Sequence, residues 1–421
     1  MSMRLSLASG LLLLAIALPV SHAFVQPLPP WLLGLPAWLA GVLLWTRATR
    51  QALVQSSALL LVGLGGLAWG AYHGVDLRWD LVLAGNAMIV AMLAAVSFLK
   101  LVVRAGGEGR PRHRRSIVET ALGLHLFGAI INMSMVYIVA QRLTRGGSLD
   151  DRQTMIITRC FTAAAFWSPF FAAMGVALTW SPGADLGVLV TAGLPLAMAA
   201  LFFTMVETVR HSPEPFEGYP LNPGGLALPL ILALLVMEIH DRLPDVPVIA
   251  IICLLVPPIS MLGAWLRRDG GREELRQHLG EGLPNMANEL TLFLSAGIMA
   301  AGTAALFASF GDWLPFERFT PTEASILLGV MLLVSMVGVH PVIAISVAGT
   351  LLLPLAPDPD LLATTFLCTW AIGTGISPFS GINLSLQGRF GLRAGQVLRL
   401  NWHYGLGMYL LAALVLHVAH G

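Results

Sequence analysis

The chain has 421 residues, of which 56% are hydrophobic and 11% charged, and its mean hydropathy is +0.78. A soluble globular domain carries about 25% charged residues, so this composition excludes a soluble protein and fits a polytopic α-helical one whose surroundings are membrane lipid. With 24 basic against 23 acidic side chains, a formal net charge of +1 and no basic patch interleaved with aromatics, nucleic acid is not an expected partner.

The first apolar run, LSLASGLLLLAIALPVSHA (5–23), follows Arg4 and ends in Ser-x-Ala. It suits a cleaved signal peptide, but a first transmembrane helix or signal-anchor within 1–29 is the preferred expectation. Either one puts the residues after Ala23 outside the cytoplasm. Further apolar runs follow at 30–47, 51–73, 80–104, 117–143, 153–180, 186–208, 224–240, 246–266, 286–310, 322–355, 361–388 and 400–419. Most are close to the ~20 residues that cross a bilayer. Two are too long for one crossing and carry a polar interruption, IINMS (130–134) in the first and GVHP (338–341) in the second. A chain that descends, turns at a polar tip and climbs back is a re-entrant hairpin, allowed where protein surrounds the tip.

Basic residues concentrate in cytoplasmic loops. Treating 117–143 and 322–355 as hairpins places the basic connections 47–50, 104–115, 144–152, 210–220, 267–276 and 389–399 on one side and the acidic APDPD (356–360) on the other. The expected fold is all-α: about eleven transmembrane helices plus two hairpins in an inner (plasma) membrane, N-terminus cytoplasmic and C-terminus outside. Segments 30–208 and 224–421 match in order and length, joined by a Pro-rich linker at 209–223. RCFTAAAFWSPFFAAMG (159–175) aligns with CTWAIGTGISPFSGINL (368–384), and NAMIVAMLAAVSF (86–98) with NELTLFLSAGIMA (288–300). Asn132 precedes Ser168 by 36 residues and His340 precedes Ser377 by 37. Each unit has an odd number of crossings, so the second copy enters upside down. Inverted repeats with broken helices meeting near mid-membrane characterise secondary transporters.

The broken helices are expected at 153–180 and 361–388. Proline removes a backbone donor and clashes with the preceding turn, as at Ser377-Pro378 and Ser168-Pro169, while Gly375 and Gly381 let the chain leave helical geometry and return. Thr374, Ser377, Ser380 and Asn383 add hydroxyl and amide oxygens of the kind Na⁺ or a carboxylate uses, with a Na⁺ site expected near Thr374, Ser377 and Asn383. Opposite them the tips offer His340, titratable near neutrality, and Asn132 with Ser134. A proline kink or a helix-capping histidine is the bland alternative, and around Ser168, where the neighbours are apolar, it weighs as much as function. Arg159 reads as an interfacial anchor or a substrate clamp, the anchor being preferred. Glu289 reads as interfacial and Asn86 as in-membrane; Lys100 and Glu238 lie near helix ends and His125 is packed. Cys160, Cys253 and Cys368 fall in apolar helices with no C-x-x-C, so neither disulfide nor metal site is expected. No H-E-x-x-H, Walker A or G-x-S-x-G motif points to an enzyme.

LTLFLSAGIMAAG (290–302) and AIGTGISPFSGINLSL (371–386) resemble, respectively, the helix before the second hairpin and the Gly/Thr/Pro/Asn-rich unwound segment of the ion transporter superfamily. That group includes divalent anion:sodium symporters, arsenite exporters and membrane subunits of tripartite dicarboxylate transporters. The resemblance implies an elevator-like, commonly dimeric secondary transporter that binds an anion between hairpin tips and broken helices. Dicarboxylate symporters carry Ser-Asn-Thr at both tips; here the tips read Asn132-Met133-Ser134 and Val339-His340-Pro341. The expected activity is symport of a small anionic solute with Na⁺ or H⁺ and no other cofactor. The alternatives are a membrane-embedded enzyme and a cation/proton antiporter.

Overall fold

The computed structural model describes residues 3–103, 114–131, 133–144, 147–212, 214–220, 223–311 and 314–421, without the side chains of Arg114, Ile131, Ser134 and Pro223. The described residues form helices and no strand. Nine of those helices are long and apolar enough to cross a membrane, so the chain is an all-α, multi-pass membrane protein.

Helices α1 (Met3–Phe24), α2 (Pro30–Leu44) and α3 (Arg50–Tyr72) open the chain. The expected span 30–47 becomes the 15-residue α2, which is short of the ~20 residues a straight crossing needs. The span expected at 80–104 is interrupted, giving α4 (Trp79–Ala84) and α5 (Ala87–Ser97). Gly85 between them sits at φ +26°, outside helical space, and Asn86 donates from Nδ2 to the Phe293 carbonyl at 2.9 Å. An apolar flank hides this break, because a lone glycine in a hydrophobic run is compatible with helix.

Helices α6 (Arg114–Ile131) and α7 (Met133–Thr144) are antiparallel. Tyr219 N–H donates to Thr120 Oγ1 near the start of α6 at 2.8 Å, while the Arg142 guanidinium near the end of α7 covers the Tyr219 ring at 5.2 Å. Both arms therefore start and finish beside one linker residue. Next comes α8 (Asp151–Met155), a π turn at Ile156–Cys160, a 3₁₀ turn at Ala163–Phe166, a non-helical stretch, and then α9 (Ala172–Trp180) and α10 (Leu186–His211). The 153–180 span is thus several pieces rather than one kinked helix.

In the second half, α11 (Ala227–Arg242) and α12 (Val248–Leu266) lead to α13 (Gly271–Gln277), which continues through a π turn at His278–Gly282 and a 3₁₀ turn at Pro284–Met286 into α14 (Ala287–Ala308). Most of residues 267–276, expected to be a connection, are helix. Helices α15 (Pro321–Met336), α16 (Pro341–Leu352), α17 (Pro359–Ile376), α18 (Gly381–Phe390) and α19 (Ala394–His420) complete the chain.

Thr369 Oγ1 of α17 donates to Met331 Sδ of α15, 38 residues earlier, at 3.8 Å. A Cβ on Gly373 would lie 3.0 Å from Ser335 Oγ, so α15 and α17 run parallel. The first half pairs likewise: His125 of α6 meets Cys160 across 35 residues and Ala129 meets Ser168 across 39. The last turns of α6 and α15 are thereby held level with the break in the helix that follows.

Burial explains why the breaks are tolerated. Every residue of α17 from Leu361 to Ile376 is buried, as are Ser377 and Ser380 at the break, while Phe379 between them is exposed; protein covers most of the interrupted backbone. By contrast only 28% of the apolar window of α3 is buried. What α3 buries is a stripe of small residues: a Cβ on Gly66 would lie 2.3 Å from the Gly302 carbonyl oxygen, and one on Gly302 would lie 2.0 Å from that of Gly63. Side-chain-free faces let α3 and α14 meet backbone to backbone, the usual way helices associate where water cannot drive them together.

Candidate functional site

The last helical bond of α17 runs from Ser377 N–H to the Gly373 carbonyl at 3.0 Å. Pro378 cannot continue the ladder. Ser380 restarts it, its Oγ accepting from Asn383 N–H at 3.4 Å as the N-cap of α18. Carbonyls freed by the break are partly claimed from within: Gln387 Nε2 donates to Pro378 O at 2.6 Å, and Asn383 Nδ2 donates to Ser377 O at 2.9 Å and Thr374 O at 3.4 Å. Ser377 Oγ accepts from Phe379 N–H at 3.3 Å.

Of the fourteen buried side-chain polar atoms without a hydrogen bond among the described residues, two lie at this break, Asn383 Oδ1 and Thr374 Oγ1. Leaving a buried polar atom unpaired costs about 1–3 kcal/mol, and such atoms in a native fold point to a strain reservoir, a functional role or a bound ion. The same amide that spends its nitrogen on two carbonyls, one of them that of Thr374, keeps its oxygen unpaired, as does the Thr374 hydroxyl. A hard cation bound by neutral oxygens fits this set. No group of three or more His, Cys, Asp or Glu that could hold a transition metal exists among the described residues.

Other expected site residues are committed elsewhere. Ser168 Oγ donates to the Ala129 carbonyl at 2.6 Å and accepts from Phe170 N–H at 3.3 Å, tying the first break to its hairpin. His340 is the N-cap of α16, with Nδ1 accepting from Val342 N–H at 3.2 Å, and its ring stands edge-on to Trp370 at 5.3 Å. Gly375 lies against the first half: a Cβ there would come 3.0 Å from Thr162 Oγ1. Gly381 would meet nothing within 4 Å, so its absent side chain leaves open space at the start of α18. Asn132 and the Ser134 side chain lie outside the described residues. The Gly338 backbone lies against Phe379, so a Cβ there would be 3.4 Å from that ring, and the second tip touches the second break directly.

Four half-helices start at these interruptions. Helices α9 and α16 run outward together, since a Cβ on Gly349 would be 2.9 Å from the Trp180 side chain near their far ends. Helices α7 and α18 pack against each other, the Arg389 guanidinium covering the Tyr137 ring at 4.5 Å. All four point their N-termini, the positive ends of their dipoles, toward the breaks. Arranged so, they suit a small anion.

Arg159 is a correction. It is no interfacial anchor: it is 0% exposed, in the π turn, under the Tyr404 ring at 4.7 Å. Nη1 donates to Glu207 Oε2 at 2.6 Å, Nε to Asn401 Oδ1 at 2.7 Å and Nη2 to the Leu400 carbonyl at 2.6 Å. Asn401 passes the link on, its Nδ2 donating to the Gly375 carbonyl at 3.0 Å. Sequence reasoning misses Glu207, Asn401 and Tyr404. The available signal is one acid in the apolar run of α10 and one base in that of 153–180, because charges at membrane depth require partners.

No protein-family model matches the sequence, and no curated protein does. Among solved structures, the chain is similar to the crystal structure of the Alcanivorax borkumensis YdaH transporter, described as having an unusual topology, at 13% identity and a TM-score of 0.48 over 88% of this chain and 87% of that one.

Proposed function

We propose that this protein is a secondary active transporter of a small anionic solute, driven by Na⁺ or H⁺, with its solute held between the two hairpin tips and the two broken helices. The observation that carries the reading is the pair of unpaired oxygens, Asn383 Oδ1 and Thr374 Oγ1, beside the Ser377-Pro378 break. Together with nearby backbone carbonyls they offer a cation neutral oxygen ligands, and the N-termini of α16 and α18 offer an anion partial positive charge. Pairing of α6 with 156–168 and of α15 with α17 at nearly equal offsets supports two related units, read as inverted repeats of 30–208 and 224–421. Elevator-like alternating access follows from that reading, with the unit of hairpin and broken helix as the moving body. The asymmetry between apolar WSPFFA and polar TGISPFSGIN favours the second unit as the place of the coupling ion.

The test is a ligand screen by thermal unfolding of the purified protein, using small dicarboxylates and inorganic oxyanions in Na⁺ or K⁺ at equal ionic strength. A ligand at 100 times its Kd stabilises the native state by about 2.7 kcal/mol. One anion class is expected to raise Tm, with Na⁺ or pH dependence, and the double variant Thr374→Ala/Asn383→Ala to lose the shift. No shift with any anion, or an equal shift in the double variant, counts against the assignment.

A further inference from the structure

A charged cluster drawn from the π turn, α10 and α19 meets the broken helix at Gly375. Its carboxylate, Glu207 of α10, is shared between an arginine and a histidine. Oε2 takes Arg159 Nη1 at 2.6 Å; Oε1 lies 3.4 Å from Arg159 Nη2 but only 2.7 Å from His403 Nε2 of α19. Exposure grades across the group: the Arg159 side chain is 0% exposed, that of Glu207 23% and that of His403 40%. A buried permanent cation thus shares one carboxylate with a partly exposed imidazole. A purely structural partner for Arg159 would need the carboxylate alone.

We propose that the Glu207–His403 pair is a proton-binding site whose occupancy is transmitted to the helix break by Arg159 and Asn401. A proton from the aqueous phase adds to the His403 imidazole, and the imidazolium draws Glu207 Oε1 toward α19. Arg159 then loses part of its carboxylate and leans on its other acceptors, Asn401 Oδ1 and the Leu400 carbonyl. Asn401 is the same side chain that donates to Gly375 O, two residues before Ser377. The path from His403 to the break is therefore side chain to side chain and crosses between the two halves of the chain. It rests on the transport reading and deepens it by supplying a coupling-ion site separate from the oxygens at Asn383.

The groups facing the pair are defined. Arg159 comes from the π turn and Tyr404 from α19. Toward the helix ends, Asp151 of α8 holds Arg399 of α19 at 2.8 Å and stands 3.5 Å from His211 of α10. Arg152 donates to the Glu214 carbonyl at 2.8 Å, and Arg210 is exposed. From α6, His125 donates from Nδ1 to Cys160 O and accepts from Trp167 Nε1, which fixes it neutral. From α17 comes the buried Cys368. Helix α11 keeps Glu238, His240, Asp241 and Arg242 in its last turns, away from the pair.

The test places a nitroxide on Gly381→Cys, where a side chain meets open space and the three native cysteines are buried. EPR line shapes of the full-length protein in liposomes are recorded across the range in which histidine titrates, roughly pH 5–8. The expected result is a change of about twofold or more in the ratio of mobile to immobile components, with one midpoint. His403→Gln keeps Glu207 on Arg159 and should flatten the profile; Glu207→Gln should do the same, and His211→Gln should leave it intact. A flat wild-type profile, or a titration that survives His403→Gln or follows His211, overturns the proposal. Because the label reads conformation and not solute movement, failure of the transport reading would show separately as absence of any anion effect on the same spectra.

Discussion

At the scale of the residue, the fold treats its polar groups in two ways. Ser168, Ser380 and His340 are spent on caps and turns, whereas Asn383 and Thr374 keep an oxygen free. Polar type alone does not separate these, because serine and asparagine bond locally or to a ligand with equal ease. The break is marked in the sequence by its proline, glycines and hydroxyls, but the Arg159 cluster is illegible there, since its members are spread along the chain from Arg159 to Tyr404. Two consequences follow for single substitutions. Glu207→Ala leaves a fully buried guanidinium short of its counter-charge and should cost about 3–5 kcal/mol. His403→Ala removes a partly exposed partner and should cost under ~1 kcal/mol. Chemical unfolding in detergent measures both; equal costs would mean that Arg159 does not depend on its carboxylate.

At the scale of the element, helix starts and stops follow ordinary rules. Asp150 with Gln153 and Thr320 with Glu323 form capping boxes that open α8 and α15, and α15 gives way to α16 at GVHP, inside a long apolar run. These are legible because a proline or a polar cluster inside a long apolar run is costly in lipid unless the chain turns there under cover of protein. The break at Gly85 and the helix at 271–277 are not, because neither differs in composition from its alternatives. Ser380→Ala removes the N-cap of α18 and is expected to cost about 1 kcal/mol, lowering Tm without abolishing folding. Gly302→Val asks for volume where a Cβ would already lie 2.0 Å from a backbone oxygen. Overpacking costs of about 1–3 kcal/mol are usual, and here backbone must move, so α3 should separate from α14. A cysteine cross-link between α3 and α14 that forms at the same rate in Gly302→Val would show that the contact is dispensable.

At the scale of the whole molecule, the buried position of α17 organises the rest. Its central place buries α17 up to the break, while α3, α11 and α19 are largely exposed around it and the break itself is open at Phe379 and Gly381. The loop ends also sort by side. Residues 147–152, Tyr219, Phe390 and Arg399 gather at one end, linked by the Leu149 N–H to Phe390 O bond of 3.1 Å and the Asp151–Arg399 pair. Asp185 and Asp360 meet at the other, where Asp185 N–H donates to Asp360 Oδ1 at 2.7 Å. We propose, from positive-inside charge placement, that the first end is the cytoplasmic one. Ser148→Cys should then be modified by an impermeant thiol reagent only in inside-out vesicles, and Pro182→Cys only in intact cells; the reverse pattern would invert the topology. Whether the Thr374–Asn383 break binds what the protein moves is best decided electrically. Proteoliposomes on a solid-supported membrane are stepped between Na⁺ concentrations or pH values in the presence of small anions. A transient current is expected with at least one anion class, and it should disappear in Asn383→Ala. A current unchanged in that variant, or none with any anion under either gradient, would contradict a binding role for the break.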